Sequence, residues 1–360
     1  MANPRDFEVA WLEDIATGDR PTVGGKAASL GELTRAGIRV PPGFVITTHA
    51  FEQFLTTIDP GASVRSTISA LDPDDLDAIS RAAVGVRDTI RKALLPAALR
   101  QSIAAASRKL AASETAVPVA VRSSATSEDS ADASFAGLQH TALWVRGEDQ
   151  LVAAIRDCWA SLYSTESVSY RLRLRLPEQH CAMGVVVQRM VNAHCSGVMF
   201  TRSPTTGDRS VIAIEGSWGL GSCIVGGEVT PDQYVVNKVT GDIVNRTVSQ
   251  KSLRHVPDLA TGGVRSEAVP ADLQGIACLS DDELRGLALV GKRIERHYGA
   301  AQDIEWAIGR AESDEEGVFV LQSRPETVWA NRAPEPVAAA KDKAFDHVIA
   351  ALGRKSPGSP

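Results

Sequence analysis

The sequence predicts an α+β protein of two lobes, and three observations carry that expectation. The chain has 360 residues, too many for one compact core, because single domains usually hold roughly 100 to 200. Apolar residues at helical spacing dominate from about 61 to 113 and again from 148 to 175, whereas short β-branched runs bounded by Gly, Pro and Asp dominate the second half. The hydrophobic share of 44% and charged share of 23% are those of an ordinary folded chain.

Taken in order, residues 8–12 (EVAWL) read as a short strand. A turn-rich stretch leads to a helix from Ala27 to Ala36, with Ala28, Leu30 and Leu33 on helical spacing, Gly37 as its stop and Pro41-Pro42 forbidding continuation. Residues 43–47 (GFVIT) suit a buried strand. Asp72-Pro73-Asp74-Asp75 supplies a start signal within the helical scaffold of 61–113. Residues 117–122 form a strand that enters the polar loop SSATSEDSADASFAG, and later strands follow at MGVVVQRMV, SGVMFTRS, SVIAIEGSWG, DQYVVNK and VFVLQSRP. The lobes are expected at 1–192 and 193–330. Residues 331–360 read as a Pro/Ala linker, a short amphipathic helix around 338–352 and a disordered end.

The formal net charge of -6 and pI near 5.7 argue against nucleic acid or an anionic membrane as partner, because either normally needs a basic face. Cys158, Cys181, Cys195, Cys223 and Cys278 form no C-x-x-C pair and read as thiols in a reducing compartment. The N-terminus has acidic residues where a signal peptide would be apolar, and no stretch approaches about 18 apolar residues. A cytoplasmic location is expected.

Gly24-Gly25-Lys26 opens the first helix with the ingredients of a phosphate site: close backbone approach, a helix N-terminus and an ammonium. It is not a Walker loop, since Arg20 stands at the earlier glycine position and Ala27 where Ser or Thr would hold magnesium. A solvent-facing lysine at a helix start is the alternative. Arg122 ends an apolar strand and presents a planar fork suited to phosphate oxygens. The hydroxyl-rich loop after it continues through Ser134-Phe135-Ala136-Gly137, with Gly137 as a possible hinge, and its alternative is an ordinary surface loop.

For magnesium, strand alternation puts Asp303 and Glu305 on one face, with Ile304 and Trp306 on the other, and sends Gln322 and Arg324 to one face of a later strand. If those strands pair, a carboxylate, an amide oxygen and a guanidinium converge into a metal-triphosphate site. The alternative is a half-buried hairpin without ligand. Gly216-Ser217-Trp218-Gly219-Leu220-Gly221-Ser222 offers close backbone approach to a ligand, but it lacks the third glycine of a dinucleotide fingerprint, and a structural turn is the preferred reading.

In order, Val23 to Glu32 with Pro41 to Phe44, Ala120 to Ser130, Gln188 to Val191, Ser196 to Phe200, Gly219 to Gly221, Thr230 to Asp232, Asp303 to Ala307 and Leu321 to Pro325 resemble the N-terminal nucleotide-binding domain shared by phosphoenolpyruvate synthase, pyruvate phosphate dikinase and rifampicin phosphotransferase. The resemblance covers nearly everything to about residue 328. It implies a two-lobed ATP-grasp-like nucleotide-binding fold with mixed sheets and flanking helices, and ATP and Mg2+ as cofactors. By the same resemblance Lys26 and Arg122 hold phosphates, Gln188, Arg189, Met190 and Val191 line the adenine pocket, and Glu305 and Gln322 ligate magnesium. Arg324 neutralises the β,γ-phosphates, Gly137 belongs to a loop covering the phosphates, and Thr141 sits near it. Lys26, Arg122 and Arg324 then act catalytically through positioning and charge neutralisation.

The family's swivelling domain carries a histidine in a Gly-Gly-x-x-(Ser/Thr)-His-Ala-Ala-type segment, and none of the seven histidines here lies in one. The resemblance therefore leads to an expectation: an ATP-binding subunit of a split dikinase, similar to that of phenylphosphate synthase and alkylphenol-phosphorylating systems. A partner subunit would supply the histidine, which attacks the β-phosphoryl group to release AMP, then loses phosphate and passes the remaining group to a phenol or alcohol. A non-catalytic ATP-sensing module, or the ATP-binding fragment of a phosphoenolpyruvate synthase or rifampicin phosphotransferase, are the alternatives.

Overall fold

The computed structural model describes residues 8–112, 117–126, 140–309 and 317–329. Its first half runs β1 (Val9–Trp11), α1 (Arg20–Val23), α2 (Gly25–Arg35), β2 (Gly43–Ile46), α3 (Thr48–Ile58), α4 (Ser63–Ser69), α5 (Leu76–Lys92), α6 (Ala97–Ala111), β3 (Val119–Ala125), β4 (Thr141–Val145), α7 (Gly147–Ser161), α8 (Thr165–Arg173) and β5 (Met183–Arg189). These strands form one sheet in the order β1-β2-β5-β3-β4. The second half runs β6 (Ala193–Phe200), β7 (Val211–Trp218), α9 (Ser222–Val225), β8 (Asp232–Asn237), β9 (Ile243–Thr247), β10 (Leu253–Pro257), β11 (Val264–Ala268), α10 (Asp281–Tyr298), β12 (Gln302–Gly309) and β13 (Gly317–Pro325). Its main sheet has the order β13-β12-β6-β7-β8-β9, and β10-β11 is a separate hairpin. The described residues up to Glu326 form one compact unit. The expected tail helix at 338–352 lies outside the described residues.

The class is α+β, but the sheets are antiparallel rather than mixed: every paired strand among the described residues runs against its neighbour. From β6 to β9 each strand reverses into the next, a connection that parallel strands cannot make without a long crossover. The helical scaffold starts where expected, since Asp75 caps α5 by accepting from Ala78 N at 2.9 Å. The stretch 148–175 is two helices rather than one, because Ser164 turns the chain out of α7 and caps α8, its Oγ accepting from Ser167 N at 3.1 Å.

Helices pack on the first sheet around Phe51, Phe54 and Trp159, the last two stacked with centroids 4.8 Å apart. On the second sheet α10 buries Leu284, Leu287 and Ile294 against Ile212, Ile214 and Trp306. Helix α2 belongs to both. Ala27, Ala28 and Leu30 pack with Val45 and Val186 of the first sheet, while Leu33 and the following Ile38 join the core of the second. Ser29 Oγ donates to Ser323 O at 2.8 Å, Arg293 donates to Ala36 O at 2.6 Å, and His297 meets Glu32 at 2.9 Å. The two sheets are thereby held at a fixed separation along one helix.

The second sheet carries a fully buried ion pair, Lys251 Nζ to Asp232 Oδ1 at 2.6 Å. Asp232 also accepts from Ser249 N, Cys278 N and Tyr234 Oη, so one carboxylate fixes the strand and two loops that precede α10. Removing one member of such a pair strands the other charge without solvent. Asp232→Ala should cost about 3–5 kcal/mol, read as a lower thermal unfolding temperature, and the double variant with Lys251→Met should recover much of the loss.

Candidate functional site

A cavity of about 650 Å³ opens between the two sheets, within the range that holds a cofactor-sized ligand. One end is apolar. Ala120, Met190, Val191, Ala193, Leu220 and Ala307 pack together there, with Leu321 beside them. The other end gathers Lys26, Arg122, Asp303, Glu305, Gln322 and Arg324.

The charged end is assembled from three directions. Helix α2 delivers Lys26, and its start lies against β3 so closely that a Cβ on Gly24 would sit 1.9 Å from Ser124 O. Gly24 also holds φ +82°, a conformation that favours glycine. Having no side chain, Gly24 cannot cap its own helix. Ser124 does so instead, its Oγ accepting from Ala27 N at 3.0 Å. Lys26 is buried, 2% exposed, and Nζ donates to Ser123 O at 3.2 Å. The solvent-facing alternative is ruled out, and a buried ammonium beside a cavity has reason to be paired with an anion.

Strand β3 delivers Arg122. Its Nη1 donates to Leu321 O at 2.6 Å and its Nη2 to Glu305 Oε2, while its Nε is buried with no partner. The Arg122 side chain lines the cavity, and its planar fork suits phosphate oxygens.

The third direction is the hairpin β12-β13, whose register sets Asp303 opposite Arg324 and Glu305 opposite Gln322. The expected convergence is what the pairing produces. Beyond Glu305 the register shifts, so Trp306 faces Val320 and Leu321 becomes the extra residue of a bulge. Its carbonyl is the one that accepts from Arg122. Arg324 Nε donates to Asp303 Oδ2 at 3.3 Å. Glu305 and Gln322 offer adjacent hard oxygens, and Glu305 Oε1 lies outside the bond to Arg122. That donor set suits Mg2+, which takes one or two protein ligands and fills its shell with phosphate and water. Among the described residues no group of three His, Cys, Asp or Glu side chains forms a dedicated metal cage.

Burial pushes the Glu305 carboxyl upward, but Arg122, Lys26 and Arg324 together outweigh it and leave its pKa below the ordinary value. The carboxylate is therefore ready for a cation at neutral pH.

The segment 188–191 forms the apolar end. Gln188 is 2% exposed and its Nε2 donates to Pro41 O at 3.0 Å, while Arg189 N and Met190 N donate to Pro42 O and Pro118 O. Thr141 begins β4 opposite Arg122 and lines the cavity. Of the anticipated residues, Lys26, Arg122, Thr141, Gln188, Arg189, Met190, Val191, Glu305, Gln322 and Arg324 all line this one space. Gly137 lies outside the described residues.

Sequence reasoning left two parts of the wall without an assigned role. Asp303 was placed on the correct face but not assigned to the site, although its pairing with Arg324 puts it there. The segment read as a structural turn is one, since a Cβ on Gly219 would meet His255 O at 2.4 Å. Yet Leu220, Gly221, Ser222, Ile224, Val225 and Gly226 also line the cavity.

An apolar slot joined to a cluster of cations with a carboxylate–amide pair defines a site for a nucleoside polyphosphate and a divalent cation. Residues 20–344 match the family model of the pyruvate phosphate dikinase AMP/ATP-binding domain, and the chain belongs to that family, whose domain uses ATP with Mg2+. It is similar to the probable phosphoenolpyruvate synthases of Staphylothermus marinus, 38% identical over 92% of this chain and 43% of that protein, and of Methanocaldococcus jannaschii, 39% identical over 97% and 29%. It also resembles the phosphoenolpyruvate synthase of Aeropyrum pernix, 37% identical over 98% and 46%. The chain thus spans less than half the length of these relatives.

The sign of the Glu305 shift gives a test. A carboxyl with a lowered folded pKa stabilises the fold above its unfolded value, near 4.5, and that contribution is lost as pH falls through the folded value. The unfolding-temperature difference between wild type and Glu305→Gln should therefore move against wild type as pH falls from 6 to 3.5.

Proposed function

We propose that this domain uses Mg-ATP to phosphorylate a histidine on a swivelling carrier that lies outside its own nucleotide site, in AMP-forming dikinase chemistry. One observation carries the reading: the cavity collects three cations, Lys26, Arg122 and Arg324, around the Glu305–Gln322 carboxylate–amide pair, and no histidine stands among its described lining residues. Such a site can hold and neutralise a triphosphate, and under this reading the acceptor histidine enters from outside it. Under this reading the two sheets are the lobes of an ATP-grasp-like fold.

In that role the apolar slot takes the adenine, and Lys26 and Arg122 fix phosphate oxygens. Arg324, at the outer end of β13 and 41% exposed, neutralises charge on the β,γ-phosphates where the carrier would enter. Glu305 and Gln322 would hold Mg2+, which supplies charge neutralisation and orientation of the phosphates. Lys26, Arg122 and Arg324 are then the catalytic groups, acting by position and charge on an incoming histidine.

For the carrier and acceptor we favour a partner subunit that bears the phosphohistidine swivelling domain and delivers to a phenol or alcohol, in the cytoplasm. A second reading has the carrier in the phosphoenolpyruvate synthase arrangement, delivering to pyruvate. The 37–39% identities to phosphoenolpyruvate synthases favour it. A third, a non-catalytic ATP sensor, is opposed by the complete set of cations and metal donors.

The test is the nucleotide formed from ATP and Mg2+ by the chain alone and with a candidate carrier protein, in the presence of a phenol or of pyruvate. AMP and phosphate should appear only with the carrier, and the acceptor that sustains turnover separates the first two readings. Rapid AMP formation by the chain alone, or ADP as product, would overturn the proposal. Lys26→Met should weaken Mg-ATP binding about 10- to 100-fold by calorimetry, the worth of a buried charge-assisted hydrogen bond. Arg324→Met should lower the rate of carrier phosphorylation on the order of 100-fold while changing ATP affinity less.

A further inference from the structure

The wall formed by residues 219–226 carries a relay of three side chains that the phosphate chemistry does not use. Ser222 lines the nucleotide cavity and also a second cavity of about 770 Å³, so it stands on the partition between them. Its Oγ lies 2.7 Å from His255 Nδ1. The other ring nitrogen, Nε2, lies 3.3 Å from Glu228 Oε2.

The ring is held in place from behind. His255 O accepts from Leu220 N at 3.0 Å, its backbone bridges to Gly219 and Leu220, and its side chain is only 12% exposed. The missing Cβ of Gly219 is what lets that strand approach. The hairpin bearing His255 is fastened at its far end as well, where Gly263 N donates to Trp144 O at 3.0 Å and Gln150 Nε2 to Thr261 O at 3.1 Å.

The chemistry of the relay fixes what Ser222 can do. The Glu228 carboxylate lies near Nε2, and its negative charge favours the ring proton on that nitrogen over Nδ1. In the neutral ring Nδ1 is then an acceptor, and the Ser222 hydroxyl must spend its single proton there. What Oγ presents to the cavity is lone pairs, which makes it a reader of donors on the ligand. Other polar side chains nearby are already committed: the Cys223 thiol faces Leu220 O at 3.3 Å and Ser196 Oγ donates to Gly219 O at 2.6 Å. Ser222 follows the slot residue Leu220 by two positions, and the phosphate-binding cations are at the other end of the cavity. Of a nucleoside triphosphate, the part that joins base to phosphates and carries hydroxyl donors is the sugar.

We propose that Ser222, oriented by His255 and Glu228, accepts a hydrogen bond from a sugar hydroxyl and makes the site selective for ribonucleotides. This rests on the reading of the cavity as an ATP site. Ser222 is the specificity-determining group, and His255 and Glu228 are positioning residues.

The experiment titrates the full chain with ATP, 2′-deoxy-ATP and 3′-deoxy-ATP in the presence of Mg2+ at pH 8, above the ordinary range of an imidazole. One of the two deoxynucleotides should bind about 3- to 10-fold more weakly than ATP, the span of a neutral hydrogen bond. Ser222→Ala should bring ATP down to that deoxynucleotide's affinity, and Ser222→Thr should keep the discrimination. His255→Phe should lose it, and His255→Asn, which retains an acceptor near the Nδ1 position, should restore it. Discrimination that survives Ser222→Ala, or an equal loss for all three nucleotides, would overturn the assignment. ATP binding without any sugar discrimination in wild type would sink this inference alone, whereas wild-type protein that binds none of the three would sink the nucleotide reading with it.

Discussion

The contact between Gly24 and Ser124 is the constraint on which the site depends. Only a residue without a Cβ lets the start of α2 lie on β3, and only there can the Ser124 hydroxyl cap the helix that Gly24 leaves uncapped. The same contact places Lys26 beside Arg122. At its other end α2 is embedded in the core of the second sheet through Leu33 and Ile38. Lysine, arginine and metal-donor hairpin are therefore referenced to one another through packed helix and strand rather than through loops. Groups held this way keep their geometry without a ligand, which is what catalysis by charge and position requires.

The bulge at Leu321 solves a second problem, how an arginine from one sheet reaches a carboxylate on the other. A regular β12-β13 ladder would commit the strand carbonyls of β13 to β12 or leave them aligned for another strand. The extra residue frees Leu321 O for Arg122. One guanidinium then spans both sheets, with Leu321 and Glu305 as its two anchors, and the apolar slot closes behind it around the Leu321 side chain.

What was legible in the sequence follows the range of the signal. Period-two alternation is local, and it correctly placed Asp303 with Glu305 and Gln322 with Arg324. Pairing those strands needed one further assumption, which the register bears out. Lys26 was ambiguous because what buries it, Ser123, lies 97 residues away, beyond any local pattern. The turn at Gly219 was legible as backbone geometry, but its place in the cavity depends on a sheet that brings Leu220 to Met190. Helix α10 was overlooked although its start is written locally: Ser280 and Glu283 form a reciprocal capping box. Strands β9 and β11 are largely exposed and β10 is half-buried along its whole length, so none of the three shows the in–out alternation that marks a strand with one buried face. The mixed sheets expected from resemblance gave way to antiparallel ones because strand direction is a property of connections, and motif residues do not record it.

The pairing of Arg122 with Glu305 also explains how a cleft this charged can fold without its ligand. Each group neutralises the other, and the lowered pKa of Glu305 records the net gain over burial. A lone anion approaching Arg122 would have to compete with a carboxylate of its own sign, and a lone cation approaching Glu305 would meet a guanidinium already in place. A ligand that brings both signs together can take Arg122 with one part and Glu305 with the other, so neither of these half-buried charges is left uncompensated during the exchange. Under the proposed function, the ion pair would favour a polyphosphate carrying its metal over either component alone, with the same two side chains holding that ligand once bound.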